Sequence, residues 1–277
     1  MSAFSQVDAA PDPAGLVRFL DEAAAAESGM KHYTLAAHLL RRPGGPILDV
    51  GCGAGHDLVL LGTAGLRAVG VDPSEVMTAA SAQRSAGLGA RLVRAAGEAL
   101  PFRDGAFSGC RIERVLMHVE DPALVVSEAV RCVEAGGLVT VFEPDWSGLR
   151  VRGSDGDRLV GWLGGMRHPG IGARLWSLLE ASGCDVLDQV VEHSVWRSLV
   201  DPDRIIVLPL AVERAVAAGR VAAAEAEAWL AEQRAREGAG EFLAVMPKVL
   251  VVARTRLDRG RPERADAQGA TGGPGSQ

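Results

Sequence analysis

Short apolar runs alternate with amphipathic stretches along residues 46–142, and this alternation limits the fold more than any other feature of the chain. Residues 46–50 (PILDV) predict a short buried strand, followed by a glycine loop and a helix to about residue 64. Strands at 67–72 (RAVGVD), 91–95, 109–115 and 138–142 (LVTVF) follow, with helices at 74–85 and 122–134 between them. Strands separated by helices at this spacing form crossover units, which are right-handed and build a parallel sheet covered on both faces. Ligands in such sheets bind beyond the carboxyl ends of the strands. The residues that end each strand are therefore the candidates for a site.

The flanks add to this plan. Leu16, Phe19 and Leu20, then Leu35, Leu39 and Leu40, fall at helical spacing, and the run RPGGP (residues 42–46) stops them. A helix at 171–182 and strands at 185–196 and 248–254 (KVLVVAR) continue the theme after the core. The Ala- and Glu-rich stretch 198–240 predicts two helices split near Gly219, an insertion that caps a pocket or makes a homodimer contact. Residues 1–13 and 258–277 lack apolar periodicity and are expected to be disordered.

Composition narrows the function. With 29 Lys and Arg against 35 Asp and Glu, the net charge is −6, the opposite of the basic excess that binds nucleic acid phosphates. Cys52, Cys110, Cys132 and Cys184 are scattered, without metal-ligand spacing, and fit reduced thiols in a cytoplasmic protein. The start carries Asp8 and Asp12 and no apolar core, unlike a signal peptide, and no run of about 18 apolar residues predicts a membrane span. The expected partner is a small molecule.

The loop Asp49-Val50-Gly51-Cys52-Gly53-Ala54-Gly55 follows a strand and opens a helix. In a dinucleotide fingerprint, the third glycine or alanine falls three residues after the second, which here is His56. Asp49, just before the glycines, would repel a pyrophosphate but suits a ligand carrying an ammonium or sulfonium, whose carboxylate can use the helix N-terminus. Asp72 ends the second strand, where an acid can accept both hydroxyls of a ribose. Each feature alone has a plainer reading, as turn geometry or a helix cap; together they favour a ligand.

The segments ILDVGCGAG, VGVDPSEVM, AAGEALPF, RVLMHVEDP and EAGGLVTVFEPDW, in that order and spacing, resemble class I S-adenosylmethionine-dependent methyltransferases. The likeness is strongest to the quinone-biosynthesis type and its relatives that modify small metabolites, and it covers about residues 45–146. It implies a three-layer Rossmann-like α/β fold with a seven-stranded, mostly parallel sheet whose last strand, 248–254, is antiparallel. The resulting plan is a methyltransferase domain over 14–257, with a helical cover (14–42), a cofactor-binding core (45–146) and the helical insertion (198–240). The resemblance also implies that Gly51, Cys52, Gly53 and Gly55 wrap the methionyl part of S-adenosylmethionine, with Asp49 near its amino group. Asp72 would take the ribose, Pro73 and Met77 would pack on the adenine, and the Arg114 backbone would touch the carboxylate end. The family's third strand commonly ends in Gly-Asp, where this chain has Ala95-Ala96, leaving Gly97 and Glu98 to meet the adenine.

Methyl transfer needs alignment, exclusion of water and, for a weakly acidic nucleophile, removal of a proton. His118, just past the fourth strand, is the candidate base, its ordinary pKa near 6.5 suiting the role; the alternative is a loop-packing histidine. Glu143, Asp145 and Trp146, at the end of the fifth strand, are candidate substrate contacts, with capping the competing role for Asp145. Tyr33, the one tyrosine, is a candidate for the cofactor carboxylate. No metal is expected. Two alternatives remain: a methyltransferase-like protein that binds the cofactor without transfer, and an NAD(P)-dependent dehydrogenase, against which His56 and Asp49 speak.

Overall fold

The computed structural model describes residues 4, 6–26, 28–41, 44–163, 166–200 and 208–257. Five strands lie parallel: β1 (Ile47–Val50), β2 (Ala68–Asp72), β3 (Arg91–Arg94), β4 (Phe107–Glu113) and β5 (Val133–Pro144). Beyond β5 the antiparallel β8 (Ala244–Thr255) separates it from β7 (Cys184–Trp196), and the two-residue β6 (Arg150–Val151) pairs with the start of β8. The path is β3-β2-β1-β4-β5-β8, so the chain turns back at β1 and leaves a crevice between β1 and β4 at their carboxyl ends. The antiparallel strand is the one the sequence points to; β6 makes the sheet eight-stranded rather than seven.

Both faces of the sheet are covered, as its near-continuous apolar strands require. Val249, Val251 and Ala253 face α5 (Pro122–Cys132) and α7 (Leu175–Ala181), while Leu250 and Val252 pack with Met30 of α2 (Ser28–Leu40) on the opposite face. Ile47 and Ala68 meet Leu58 and Leu61 of α3 (His56–Thr63) on that same side. Helix α5 starts cleanly because Asp121 accepts from the Ala123 and Leu124 N–H groups (2.9 and 3.2 Å) and Pro122 fills its first position.

The helical stretch at 15–40 divides into two helices, α1 (Pro13–Ala26) and α2. The described part of 1–13 is ordered rather than disordered: Val7–Ala9 forms a 3₁₀ turn, Val7 is buried against Ala54 and Met77, and Asp8 caps α4 (Glu75–Arg84). The Asp8 carboxylate accepts from the backbone N–H groups of Glu75 (2.8 Å) and Val76 (3.2 Å) and from the Ser74 hydroxyl. An acid at a helix N-terminus is favoured by the exposed N–H groups there. Residues 258–277 lie outside the described residues.

The insertion forms a lobe of its own. Helices α6 (Gly156–Leu163), α8 (Leu208–Ala217) and α9 (Ala223–Gly238) enclose a second core with Leu159, Trp162, Val212 and Phe242, at the ends of β7 and β8. Helix α6 was not anticipated from the sequence.

Gly55 shows how tightly the glycine turn is built. Its φ is +84°, and a Cβ there would sit 2.4 Å from Ser81 Oγ and 2.9 Å from Ser81 Cα. Gly55→Ala combines backbone strain with a backbone clash and is expected to cost about 2–4 kcal/mol, read as a lower midpoint in urea denaturation.

Candidate functional site

A cavity of about 470 Å³ opens at the carboxyl ends of β1, β2 and β4. Its floor is the glycine turn, with Gly51 and Gly53 both at positive φ (70° and 49°). Gly51 has no room for a side chain, since a Cβ would lie 2.3 Å from Val115 Cγ2. Beside the turn, the two Asp72 carboxylate oxygens accept from the Gly53 N–H (3.0 Å) and the Ser74 N–H (2.9 Å). Burial nevertheless raises the Asp72 pKa, so its lining carboxylate gains from ligand hydroxyl donors. Pro73, Met77, Gly97 and Glu98 continue the wall beyond Asp72, and Cys52 lies beside the glycines, its thiol raised by burial.

A buried ionic cluster stands at the other side of the turn. Lys31 of α2 binds Asp57 (2.8 Å) and Glu113 (2.6 Å), and Arg111, 1% exposed, binds Glu113 (2.5 Å) and Asp57 (3.2 Å). Burial opposes the charge on Lys31, but Glu113 and Asp57 outweigh it and raise its pKa. Burial likewise works against the Asp57 carboxylate, yet Arg111 and Lys31 hold its pKa well below the ordinary range. Lys31, Asp57 and Glu113 all line the cavity, so it meets both signs of charge at one end.

Asp49 does not line that cavity. It lies under the turn, 2% exposed and 3.7 Å from Arg111, and burial, reinforced by Asp57 and Glu113, raises its pKa. The acids that line the cavity at this end are Asp57 and Glu113. Their position was not legible because a charged residue inside a helix start or a strand reads as a solvated one.

Other candidates are redistributed as well. Tyr33 is 40% exposed and donates to Asp188 of β7, away from the cavity. Gly55 shapes the turn without lining the cavity. Glu143, fully buried, accepts with Oε1 from the Val115 N–H (2.8 Å) and the Leu116 N–H (2.6 Å), holding the loop that precedes His118. Asp145 caps the turn Trp146–Gly148 through the Ser147 N–H (3.1 Å) and hydroxyl (2.5 Å). Arg114, the single non-glycine residue at positive φ (56°) among those described, lines the cavity, and its N–H donates to the Phe142 carbonyl (2.9 Å).

His118 and Trp146 both line the cavity, with Met117 and Met246 giving this end an apolar character. Burial lowers the His118 pKa to about 4, with Arg114 adding to the effect, so the ring is neutral at pH 7. The roof comes from the N-terminus: Phe4 packs on His118 (ring centres 5.5 Å apart) and on Phe19 (5.8 Å). Among the described residues of 198–240 none lines the cavity. His56 Nε2 lies 2.9 Å from Asp21 of α1, which ties the roof to the helix that follows the glycines.

Sheets of this order, with a glycine turn after β1 and an acid ending β2, hold nucleoside-bearing cofactors at the carboxyl ends of their strands. A family model described as "Methyltransferase domain" matches residues 48–141. A 37.1 kDa protein of transposon Tn4556 from Streptomyces fradiae is 32% identical over 86% of this chain and 70% of its own length. A methyltransferase of Mycobacterium sp. strain JLS is 38% identical over 45% of this chain, which spans about half (48%) of that relative. The crystal structure of the [4+2]-cyclase SpnF, 22% identical, superposes with a TM-score of 0.51 over 78% of this chain and 76% of its own. The chain belongs to the class I S-adenosylmethionine-dependent methyltransferases. S-adenosylmethionine is its cofactor, and the donor set fits it: Asp72 for hydroxyls, Asp57 and Glu113 for an ammonium, and Lys31 for a carboxylate.

Glu143 supplies a pH signature. Burial lifts its pKa from 4.5 to about 8, against the backbone N–H groups that favour the charged form. The folded protein therefore binds more protons at this site than the unfolded chain between those values, and stability falls as pH rises through that window. Glu143→Gln keeps the acceptor oxygen and removes the titration. It is expected to flatten the decline in urea-derived stability across that range, with wild type and variant equal below it.

Proposed function

We propose that this protein transfers a methyl group from S-adenosylmethionine to O, N or C of a small, largely apolar metabolite held beside His118 and Trp146. The observation that supports this most directly is one continuous cavity with a charged end at Lys31, Asp57 and Glu113 and an apolar end at Met117, Trp146 and Met246. The cofactor supplies a methyl group made electrophilic by positive sulfur. Asp72 accepts from the ribose hydroxyls, Asp57 and Glu113 face the amino group, and Lys31 faces the carboxylate. Phe4, Val7 and Phe19 exclude water from above. The neutral His118 ring receives the acceptor's proton on a ring nitrogen. A base this weak suits a proton that becomes acidic as the acceptor atom gains its methyl group and turns cationic. The four cysteines are buried thiols outside any disulfide, which supports a reducing, cytoplasmic setting. Among the described residues no helix is long and apolar enough to cross a membrane.

S-adenosylhomocysteine is expected to raise the thermal midpoint, and NAD(P)H to leave it unchanged; the reverse would turn the assignment toward a dehydrogenase. Asp72→Ala should weaken S-adenosylhomocysteine binding by about 1.5–3 kcal/mol, the range for hydrogen bonds to a charged group, and unchanged affinity in calorimetry would remove Asp72 from the site. His118→Ala should lower kcat at neutral pH by about 10²-fold with cofactor affinity retained. In the wild type the acidic limb of kcat should fall near the lowered His118 pKa of about 4 rather than the ordinary 6.5. Equal loss of turnover and cofactor affinity would make His118 a packing residue. The same low basicity favours a second reading, a chain that holds the cofactor without transferring from it. Labelled methyl appearing on components of a metabolite extract separates the two.

A further inference from the structure

The two long edges of the sheet are built differently. One is β3, four residues long with an arginine at each end (Arg91 and Arg94), the short and charged form that discourages pairing with another chain. The other is β7, 13 residues long, without lysine, arginine or proline, and paired among the described residues to β8 alone. Leu187, Val191 and Val195 along it are each about half exposed (49, 48 and 54%). A long edge strand that holds apolar side chains in water is a template for a further strand. Its acids are already answered within the chain. Asp185 pairs with Arg256 (3.0 Å), Asp188 accepts from Tyr33, and Glu192 stands opposite Lys248 of β8. The edge therefore offers a partner its outer row of backbone groups and three aliphatic side chains. Leu187, which has no opposite residue on β8, is a bulge, and the ladder from Asp188 to Trp196 is regular.

We infer that β7 pairs antiparallel with β7 of a second copy of this chain, about a two-fold axis at Val191. An axis normal to the sheet keeps each side chain on its own face, so it passes through a residue position rather than between two. Centring it on Val190 sets Asp188 opposite Glu192 twice, and centring it on Glu192 sets that acid against itself. Centring on Gln189 draws the bulge into the new ladder, and centring on His193 leaves Leu187 uncovered. Val191 at the axis avoids all four outcomes. It meets its own counterpart, Gln189 meets His193, and Leu187 comes alongside Val195. Asp185 and the exposed Arg197, of opposite charge, draw near one another at both ends. The axis reverses strand direction, so the two cavities open at opposite margins of one continuous sheet. No residue of β7 lines the cavity, and the contact is independent of the methyl-transfer reading.

Sedimentation equilibrium of the full chain at about 100 μM, where even a micromolar dimer is well populated, is expected to return twice the chain mass. Val191→Lys sets two ammonium groups together at the axis. It should weaken self-association at least about tenfold, with the far-UV circular dichroism unchanged. Cross-linking reads the register. With oxidised glutathione as oxidant, Val191→Cys should form an intermolecular disulfide. Val195→Cys, whose twin lies roughly 27 Å away at about 3.4 Å per residue, should not. The wild type, whose four cysteines are all buried, is the blank. A monomer at that concentration, a dimer indifferent to Val191→Lys, or equal disulfide yields from the two cysteine variants overturns the inference.

Discussion

Arg111 carries a full charge in the middle of a parallel sheet, and the architecture around the site follows from the need to satisfy it. Its guanidinium lies against acids from β1, β4 and the first turn of α3, and Lys31 closes the cluster from α2. Two cations thus bridge Asp57 and Glu113, Arg111 and Lys31 holding Asp57 in its charged form, while Asp49 is the member that burial drives toward its neutral form. Removing one partner from such a buried set generally costs about 3–5 kcal/mol, because the rest are left uncompensated. The same interaction fixes the N-terminal cover to the sheet, since Lys31 belongs to that cover. A ligand with both an ammonium and a carboxylate finds both opposite charges already desolvated and oriented there.

The site divides labour between backbone and side chains. Positive-φ glycines bring main-chain groups close to the ligand, Asp72 is held by two N–H groups at a strand end, and Glu143 uses its carboxylate on the loop before His118. Glu143 acts through that loop, at a position where a substrate contact would have needed an exposed oxygen. Asp145 plays the corresponding part for the turn carrying Trp146. The two acids of the FEPD segment therefore orient cavity-lining pieces without lining the cavity themselves.

Period and punctuation made the core legible. The strands between residues 46 and 142, the glycine turn and the antiparallel β8 all depend on local pattern, and the structure has them with shifts of a few residues. Tyr33, Asp49, Glu143 and Asp145 do not line the cavity, because the direction of a side chain depends on what the fold stacks against it. Tyr33 lies on the side of α2 that meets β7, and Asp49 points down toward Arg111 rather than up. The N-terminal segment was illegible for another reason: three contacts (Phe4 on His118, Val7 on Met77, Asp8 on α4) order a stretch whose composition is polar and irregular. Only the assembled cavity gives those residues something to cover.

That covering segment bears on the timing of the cycle. Phe4 leans on the ring beside the acceptor, and Asp8 grips the helix that begins just after the ribose acid, so one short strand of backbone spans both halves of the chamber. A ligand leaving past this roof would have to part a ring stack and several hydrogen bonds, so the segment that closes the chamber would also meter its emptying.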